Sequence, residues 1–367
     1  MKKKVAIFTH GGIGTGSQSQ GFPLLMQIVS QLSKDFDVTL YSLATFNPNF
    51  LPENYKAYSV PSGLRPTFIR WAYLIFLFTK NSIRSKYHLL YSFWGYPTGF
   101  VTVILGKVFK KPSLINILGG ETAALPEINY GFLRNPITRS LILFTCRNAD
   151  KLIAVSQYQD NILKKYGLTR RTDVIPWGND KDLFYPVFHK LDLPLKILHV
   201  ANLNEVKDQH TLIHAFRIIR NRMPAVLKIV GPDFLNGKIQ ELVSSLGLTN
   251  DVEFFGFVPH KEILKYFHWA DAFMLTSLSE GQNNSITEAM MCGVLPVGTS
   301  VGIMYDIGAD VGIVANCRDY ETIAEKVLDL YNRPEEWEKK RMAAYQWAKS
   351  HDLNWTVQQL KSVMDNV

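Results

Sequence analysis

Lys4-Val5-Ala6-Ile7-Phe8-Thr9-His10-Gly11-Gly12-Ile13-Gly14-Thr15-Gly16 passes from a basic start through an apolar, β-prone segment into a cluster of glycines. A glycine turn after a short apolar run, then an amphipathic stretch over residues 22–33, makes one strand–turn–helix unit. The alternation recurs downstream. Residues 38–43, 89–94, 113–118, 152–155 and 174–176 read as further short strands separated by helical patterns. Strands spaced in this way imply parallel βαβ units and a doubly wound α/β sheet.

Pro186 and Pro194 bracket a break, after which the pattern restarts. Residues 196–201, 226–230, 252–257, 272–276 and 295–298 read as strands. Asp208 is placed to cap a helix with Leu212, Ile213, Phe216 and Ile219 on one face, and Ile323, Val327, Leu330 and Tyr331 mark another amphipathic helix. Two Rossmann-like domains follow, 1–187 and 188–347, with a ligand expected in a cleft between them at the carboxyl ends of the strands.

The bulk numbers agree with that division. A chain of 367 residues is long for one core and comfortable for two. With 47% hydrophobic and 20% charged residues it belongs with ordinary globular proteins. Cys146, Cys292 and Cys317 are far apart and form no C-x-x-C spacing, which argues against a disulfide framework or zinc site and fits a reducing compartment. The basic start is followed by too few apolar residues for a signal peptide, so it reads as the first strand of a cytoplasmic protein. Residues 71–78 are far short of the ~20 apolar residues of a spanning helix, and Pro97 with its neighbouring glycines interrupts residues 89–106.

Charge is distributed unevenly. Residues 1–185 hold 22 Lys and Arg against 10 Asp and Glu, whereas residues 186–367 hold 18 against 22, together giving the net +8. A basic half attracts anions such as lipid headgroups or phosphorylated acceptors, and an anionic membrane surface is one expected partner. The alternative is a merely soluble basic surface. No nucleic-acid motif accompanies it, so no nucleic-acid partner is expected.

The glycine turn can be tested against its lookalikes. A dinucleotide fingerprint fails because Ser17 stands at the third glycine position and no acid ends the second strand. A Walker motif fails because the same Ser17 replaces its lysine. A phosphate-approaching turn and a tight turn without ligand both remain open.

The second half carries the run Ser279-Glu280-Gly281-Gln282-Asn283-Asn284-Ser285-Ile286-Thr287-Glu288-Ala289-Met290, after an apolar strand and at the opening of a helix. Glu280 falls in the loop and Glu288 in the expected first helical turn. Carboxylates accept hydrogen bonds from vicinal hydroxyls, and helix N–H groups favour phosphate, so the run could hold a phosphorylated, polyhydroxylated ligand. A structural alternative is equally open: Ser285-x-x-Glu288 is a capping box that would tie Glu288 to its own helix.

This run resembles the signature of the retaining glycosyltransferases of family 4, two glutamates separated by seven residues. The resemblance extends to Val174-Ile175-Pro176-Trp177-Gly178-Asn179-Asp180 with Phe184 and Pro186, to Val200-Ala201-Asn202-Leu203 through Lys207, to Phe255-Gly256-Phe257-Val258, and to Asn354-Trp355. It implies a GT-B fold, with residues 348–367 forming a helix that returns to the first domain. It implies a nucleotide-diphosphate sugar as donor, a glycan or lipid-linked acceptor, and no metal or other cofactor. A cytoplasmic location, peripheral on the inner membrane face, goes with that reading.

By the same resemblance Glu280 would contact the donor sugar and Glu288 the ribose. Gly281, Gln282, Asn283, Asn284 and Ser285 would approach sugar and diphosphate, Lys207 would neutralise diphosphate charge, and Phe257 and Val258 would meet the nucleobase. Gly11 and Gly12 would close over the phosphates. Two positions depart from the family pattern: Asn202 stands where an arginine is usual, and Leu118 where a histidine often falls. Glu121 matches an acidic family position and is expected to position an acceptor hydroxyl, the alternative being a surface acid on a glycine turn. Asp180-Lys181-Asp182 has the Asp-x-Asp spacing of a metal site, but it lies in the inter-domain segment, which disfavours that role. A nucleotide-sugar epimerase of GT-B fold and a non-catalytic nucleotide-sugar or membrane-binding protein are the competing functions.

Overall fold

A computed structural model describes residues 2–14, 22–50, 52–65 and 67–367. Thr15, Gly16 and Ser17 of the glycine turn lie outside the described residues. The chain divides into two compact units, one of Met1–Val155, Gln159–Ile175 and Thr356–Val367, the other of Ser156–Tyr158 and Pro176–Trp355. The division after Ile175 comes ahead of the Pro186–Pro194 bracket for a local reason. Trp177 and Asn179 are hydrogen-bonded to Gln282 and Thr287 of the second unit, so the segment before the prolines already belongs to it.

In the first unit the strands are β1 (Lys4–Thr9), β2 (Asp37–Ser42), β3 (Lys56–Ser59), β4 (Leu89–Phe93), β5 (Ser113–Ile117), β6 (Lys151–Ala154) and β7 (Asp173–Val174). Their sheet order is β3-β2-β1-β4-β5-β6-β7, all parallel, with Val5 in register with Val38 on one side and Leu89 on the other. β4 and β5 are buried at every residue, as strands covered on both faces must be. The helices are α1 (Pro23–Leu32), α2 (Thr67–Arg84), α3 (Phe100–Phe109), α4 (Pro136–Asn148) and α5 (Gln157–Lys165). Leu74 and Phe78 of α2 pack on Phe8, Tyr41 and Leu90, with the Phe8 and Tyr41 rings stacked at 5.3 Å.

The second unit repeats the plan with β8 (Leu195–Val200), β9 (Ala225–Val230), β10 (Val252–Phe254), β11 (Ala272–Leu275), β12 (Leu295–Thr299) and β13 (Ile313–Ala315), in the order β10-β9-β8-β11-β12-β13. Its helices are α6 (Gln209–Arg222), α7 (Lys238–Ser245), α8 (Leu264–Trp269), α9 (Asn284–Met291), α10 (Ile303–Val311), α11 (Tyr320–Tyr331) and α12 (Pro334–Ser350), followed by α13 (Leu353–Asp365). One apolar cluster joins Leu212 and Phe216 of α6 to Ile323 and Val327 of α11; a second joins Phe267, Met290, Ile303 and Ala344 across the other helices. Asp208 caps α6 as expected, its carboxylate accepting from the amide and hydroxyl of Thr211. From Thr356 onward α13 belongs to the first unit, where Lys3 Nζ donates to the Met364 carbonyl at 2.7 Å.

Each sheet has a point where strand order reverses, between β1 and β4 in one unit and between β8 and β11 in the other. In open α/β sheets the crevice outside the carboxyl ends of the strands at such a point is where ligands bind. Among the described residues no helix is long and apolar enough to cross a membrane.

Candidate functional site

The reversal point of the second unit brings together the segments that leave β8 and β11. After Val200 the chain runs through Asn202 to a single 3-10 turn, Glu205–Lys207, which Asn204 caps by accepting from the Lys207 amide. After Leu275 it runs through Thr276 and Ser277 to Glu280. Thr276 Oγ1 donates to the Lys207 and Asp208 carbonyls and ties the two segments together. Lys207 Nζ lies 2.5 Å from Glu280 Oε1. The same oxygen accepts from Ser277 Oγ at 2.6 Å and Asn283 Nδ2 at 3.2 Å. The pair is partly buried, with 18% and 11% of the two side chains exposed, so each charge is held largely by the other.

Asn283 has a second task. Its φ is +77°, and its Oδ1 accepts from the Ile286 amide, so it is the N-cap of α9. This corrects the capping-box alternative: Ser285 does not cap the helix, and Glu288, its fifth residue, lies beyond the first turn. Glu288 Oε1 instead accepts from His260 Nε2 at 2.9 Å. Both glutamates thus have their carboxylates fixed by side chains from other segments.

Gly281 and Gln282 are buried. The Gln282 amide group clamps Trp177, donating to its carbonyl at 2.6 Å and accepting from its amide at 2.7 Å. Its side chain therefore anchors the 176–179 segment. Gly302 backs this loop: a Cβ there would stand 2.8 Å from the Gln282 carbonyl and from Glu280 Cβ, at a φ of +55°. Asn284 and Ser285 begin α9, half-buried. Phe257 is exposed and Val258 half-buried in the loop after β10, a strand that ends at Phe254, short of the 252–257 expected.

Asn202 is exposed, and its carbonyl accepts from Gln209 Nε2 at 3.0 Å. Gln209 Nε2 also reaches His199 Nε2 at 3.1 Å, while His199 Nδ1 donates to the Met274 carbonyl at 2.9 Å. Burial lowers the His199 pKa to about 4, so the ring is a neutral strut beneath the Lys207 loop.

In the first unit Gly11 and Gly12 follow β1 at its reversal point. Gly12 has a φ of +80°, and a Cβ there would meet Phe22 at 3.1 Å and the Trp94 ring at 3.6 Å. Glu121 is buried, which removes the surface-acid alternative. Its Oε1 accepts from the amides of Leu118 (3.0 Å) and Gly95 (3.1 Å), and its Oε2 from that of Gly119 (3.2 Å). Burial raises its pKa and those amides oppose the shift. The side chain organises the turn on which it sits, both of its carboxylate oxygens being engaged by backbone amides. Asp180 Oδ1 accepts from the Asp182 amide, and the Asp180 carbonyl accepts from the amides of Leu183 and Phe184, so the Asp-x-Asp sequence forms a turn. Among the described residues no group of three or more His, Cys, Asp or Glu is placed to hold a metal ion.

Sequence reading missed His260 and Ser277. Neither gave a signal: one is a lone histidine three positions past Phe257, the other a serine at a strand end.

Residues 186–349 match the model of glycosyl transferases group 1. The chain carries a glycosyl transferases group 1 domain. Mannosylfructose-phosphate synthase of Agrobacterium fabrum is 28% identical over 205 residues, 50% of this chain and 44% of that protein. The chain spans about half the length, or less, of the first curated relatives it matches. Among solved structures, sucrose-phosphate synthase of Thermosynechococcus elongatus superposes with a TM-score of 0.81 at 16% identity, covering 100% of this chain and 99% of that one. Anabaena HepE in complex with UDP and glucose gives a TM-score of 0.76 at 18% identity, with both chains covered completely. The likeness extends over the whole chain and shows the GT-B fold.

Proposed function

We propose that the protein is a retaining glycosyltransferase that moves a hexosyl group from a nucleotide-diphosphate sugar to an acceptor hydroxyl, in the synthesis of a cell-surface polysaccharide or glycolipid. The observation that carries this reading is the meeting of Lys207, Glu280 and the start of α9 at the carboxyl ends of β8 and β11. A cation, a carboxylate and helix amides converge there, the set a sugar diphosphate needs. The binding of UDP and glucose by HepE, which shares the fold, supports it.

In the reaction the bond between the anomeric carbon and the diphosphate oxygen breaks, and the acceptor oxygen forms the new bond on the same face while losing its proton. Charge builds on the departing diphosphate. Lys207 and the first amides of α9 neutralise it, a preorganised electrostatic contribution that calls for no metal. Glu280 exchanges part of its hydrogen bonding for the sugar hydroxyls, and Glu288, held by His260, accepts from the ribose. Phe257 and Val258 border the base, while Asn202 supplies an amide where the family has a charge. Glu121 acts by fixing the 118–120 turn.

The acceptor is proposed to be a glycan or a lipid-linked one, met by the basic first unit at the inner face of the membrane. A thermal-shift panel of nucleotide sugars, followed by product analysis with and without acceptor and in the presence of EDTA, tests the reading. Stabilisation by one donor and acceptor-dependent, EDTA-insensitive transfer is expected. Donor isomerisation without acceptor would replace it by an epimerase, and binding without transfer or slow hydrolysis by a non-catalytic protein.

A further inference from the structure

Helix α2 is apolar on both sides. Its inner face, Leu74 and Phe78, is buried against the first sheet. Its outer face presents Phe68, Phe76 and Ile83 at 69%, 57% and 82% exposure, with Ile69 and Ile75 between them. Phe68, Phe76 and Ile83 lie eight and seven residues apart, close to whole numbers of turns, so they form one stripe along a helix of about 27 Å. A helix covering a Rossmann sheet needs only its inner face apolar, and a stripe this long in water marks an interaction surface.

Charge selects the partner. Between Glu53 and Glu121 the sequence contains no Asp or Glu but nine Lys and Arg. Lys80 and Arg84 are exposed on α2 beside the apolar stripe, and Lys107 and Lys110 flank the exposed Val108 at the end of neighbouring α3. A second copy of the chain docked on this face would set like charges against each other. An anionic bilayer surface meets both features, since the aromatic and aliphatic side chains enter the headgroup–acyl boundary while the cations remain among the phosphates.

We infer that α2 is an interfacial docking helix: its Phe68–Phe76–Ile83 stripe inserts into the surface of an anionic membrane, and Lys80 and Arg84 hold it there. Because its inner face stays packed on the sheet, it lies in the membrane plane and does not cross. The inference deepens the membrane-partner part of the proposed function and is independent of the donor chemistry.

The test is sedimentation of the full chain with phosphatidylcholine vesicles, with and without phosphatidylglycerol, at low and high salt. Wild type is expected to pellet with the phosphatidylglycerol vesicles and to release partly as salt rises. The triple variant Phe68→Ser, Phe76→Ser, Ile83→Ser should lose at least about tenfold in partitioning. Lys80→Glu with Arg84→Glu should lose a comparable factor at low salt. Exposed positions tolerate such changes, and both variants should keep the wild-type melting temperature and its response to nucleotide sugars. Equal pelleting of wild type and the triple variant would overturn the inference. So would a concentration-dependent dimer that the triple variant abolishes without vesicle binding ever being seen. If no nucleotide sugar stabilises any form while vesicle binding behaves as stated, the donor reading fails and the docking helix stands.

Discussion

Lys207 and Glu280 hold opposite charges at 2.5 Å, with Ser277 and Asn283 on the same carboxylate oxygen. Glu280→Gln keeps the shape and removes the charge, and Lys207→Ala removes the cation that would face the diphosphate. Each is expected to lower transfer by at least about a hundredfold, the size of losing a preorganised donor or charge at a transition state, and breaking this largely buried pair should also cost about 3 kcal/mol of stability without unfolding the chain. Steady-state assays alongside denaturant melts check both halves of that statement. His260 acts through Glu288. His260→Ala should weaken nucleoside diphosphate binding by about tenfold, and this loss should vanish for a 2′,3′-dideoxy nucleotide, because only ribose hydroxyls would sense the carboxylate. Titration calorimetry with the two ligands separates a positioning role from general damage. At this scale the two glutamates and the lysine were legible as residue types in a suggestive order. Their partners were not, since Ser277 and His260 reach them from positions that local sequence does not link.

Helix α9 shows where local pattern misleads. Ser285 and Glu288 have the spacing of a capping box, but the cap is Asn283, whose positive φ turns the chain so that its side chain meets the Ile286 amide. Asn283→Ala should cost about 1 kcal/mol in a denaturant melt through the lost cap. It should also loosen Glu280, so transfer should fall by more than stability accounts for. Elements with strong patterns were readable, and β1 extends one residue beyond its apolar run Val5–Phe8 at each end. β3 was not, because Lys56–Ser59 is a half-exposed edge strand without an apolar run, and β13 is only three residues long. Both are strands because a neighbouring edge supplies their hydrogen bonds.

At the level of the whole molecule, stability has two testable dependences. Val357, Leu360 and Met364 of α13 are buried, and Lys361 pairs with Asp35 of the first unit. Deleting residues 356–367 should therefore destabilise that unit by on the order of 5 kcal/mol, read by denaturant unfolding. The second dependence is on pH. His199 has a folded pKa of about 4 against an ordinary value of 6.5, so the unfolded chain binds the extra proton first. Its contribution is full above pH 6.5 and is lost as pH falls through about 4, on the order of 3 kcal/mol in all. Melts at several pH values should show a shallower acid decline in His199→Gln than in wild type.

The sequence by itself determined the two parallel sheets, because period and turn chemistry are local and buried parallel strands read as apolar runs. It also determined the basic bias of the first half and the glutamates of the second. Tertiary structure decided what those residues do to one another. The Lys207–Glu280 pair exists because strand order reverses between β8 and β11, and the outward stripe of α2 is recognisable only once the sheet has claimed the opposite face. Both are relations between segments far apart in the chain, fixed by packing and invisible to any local pattern.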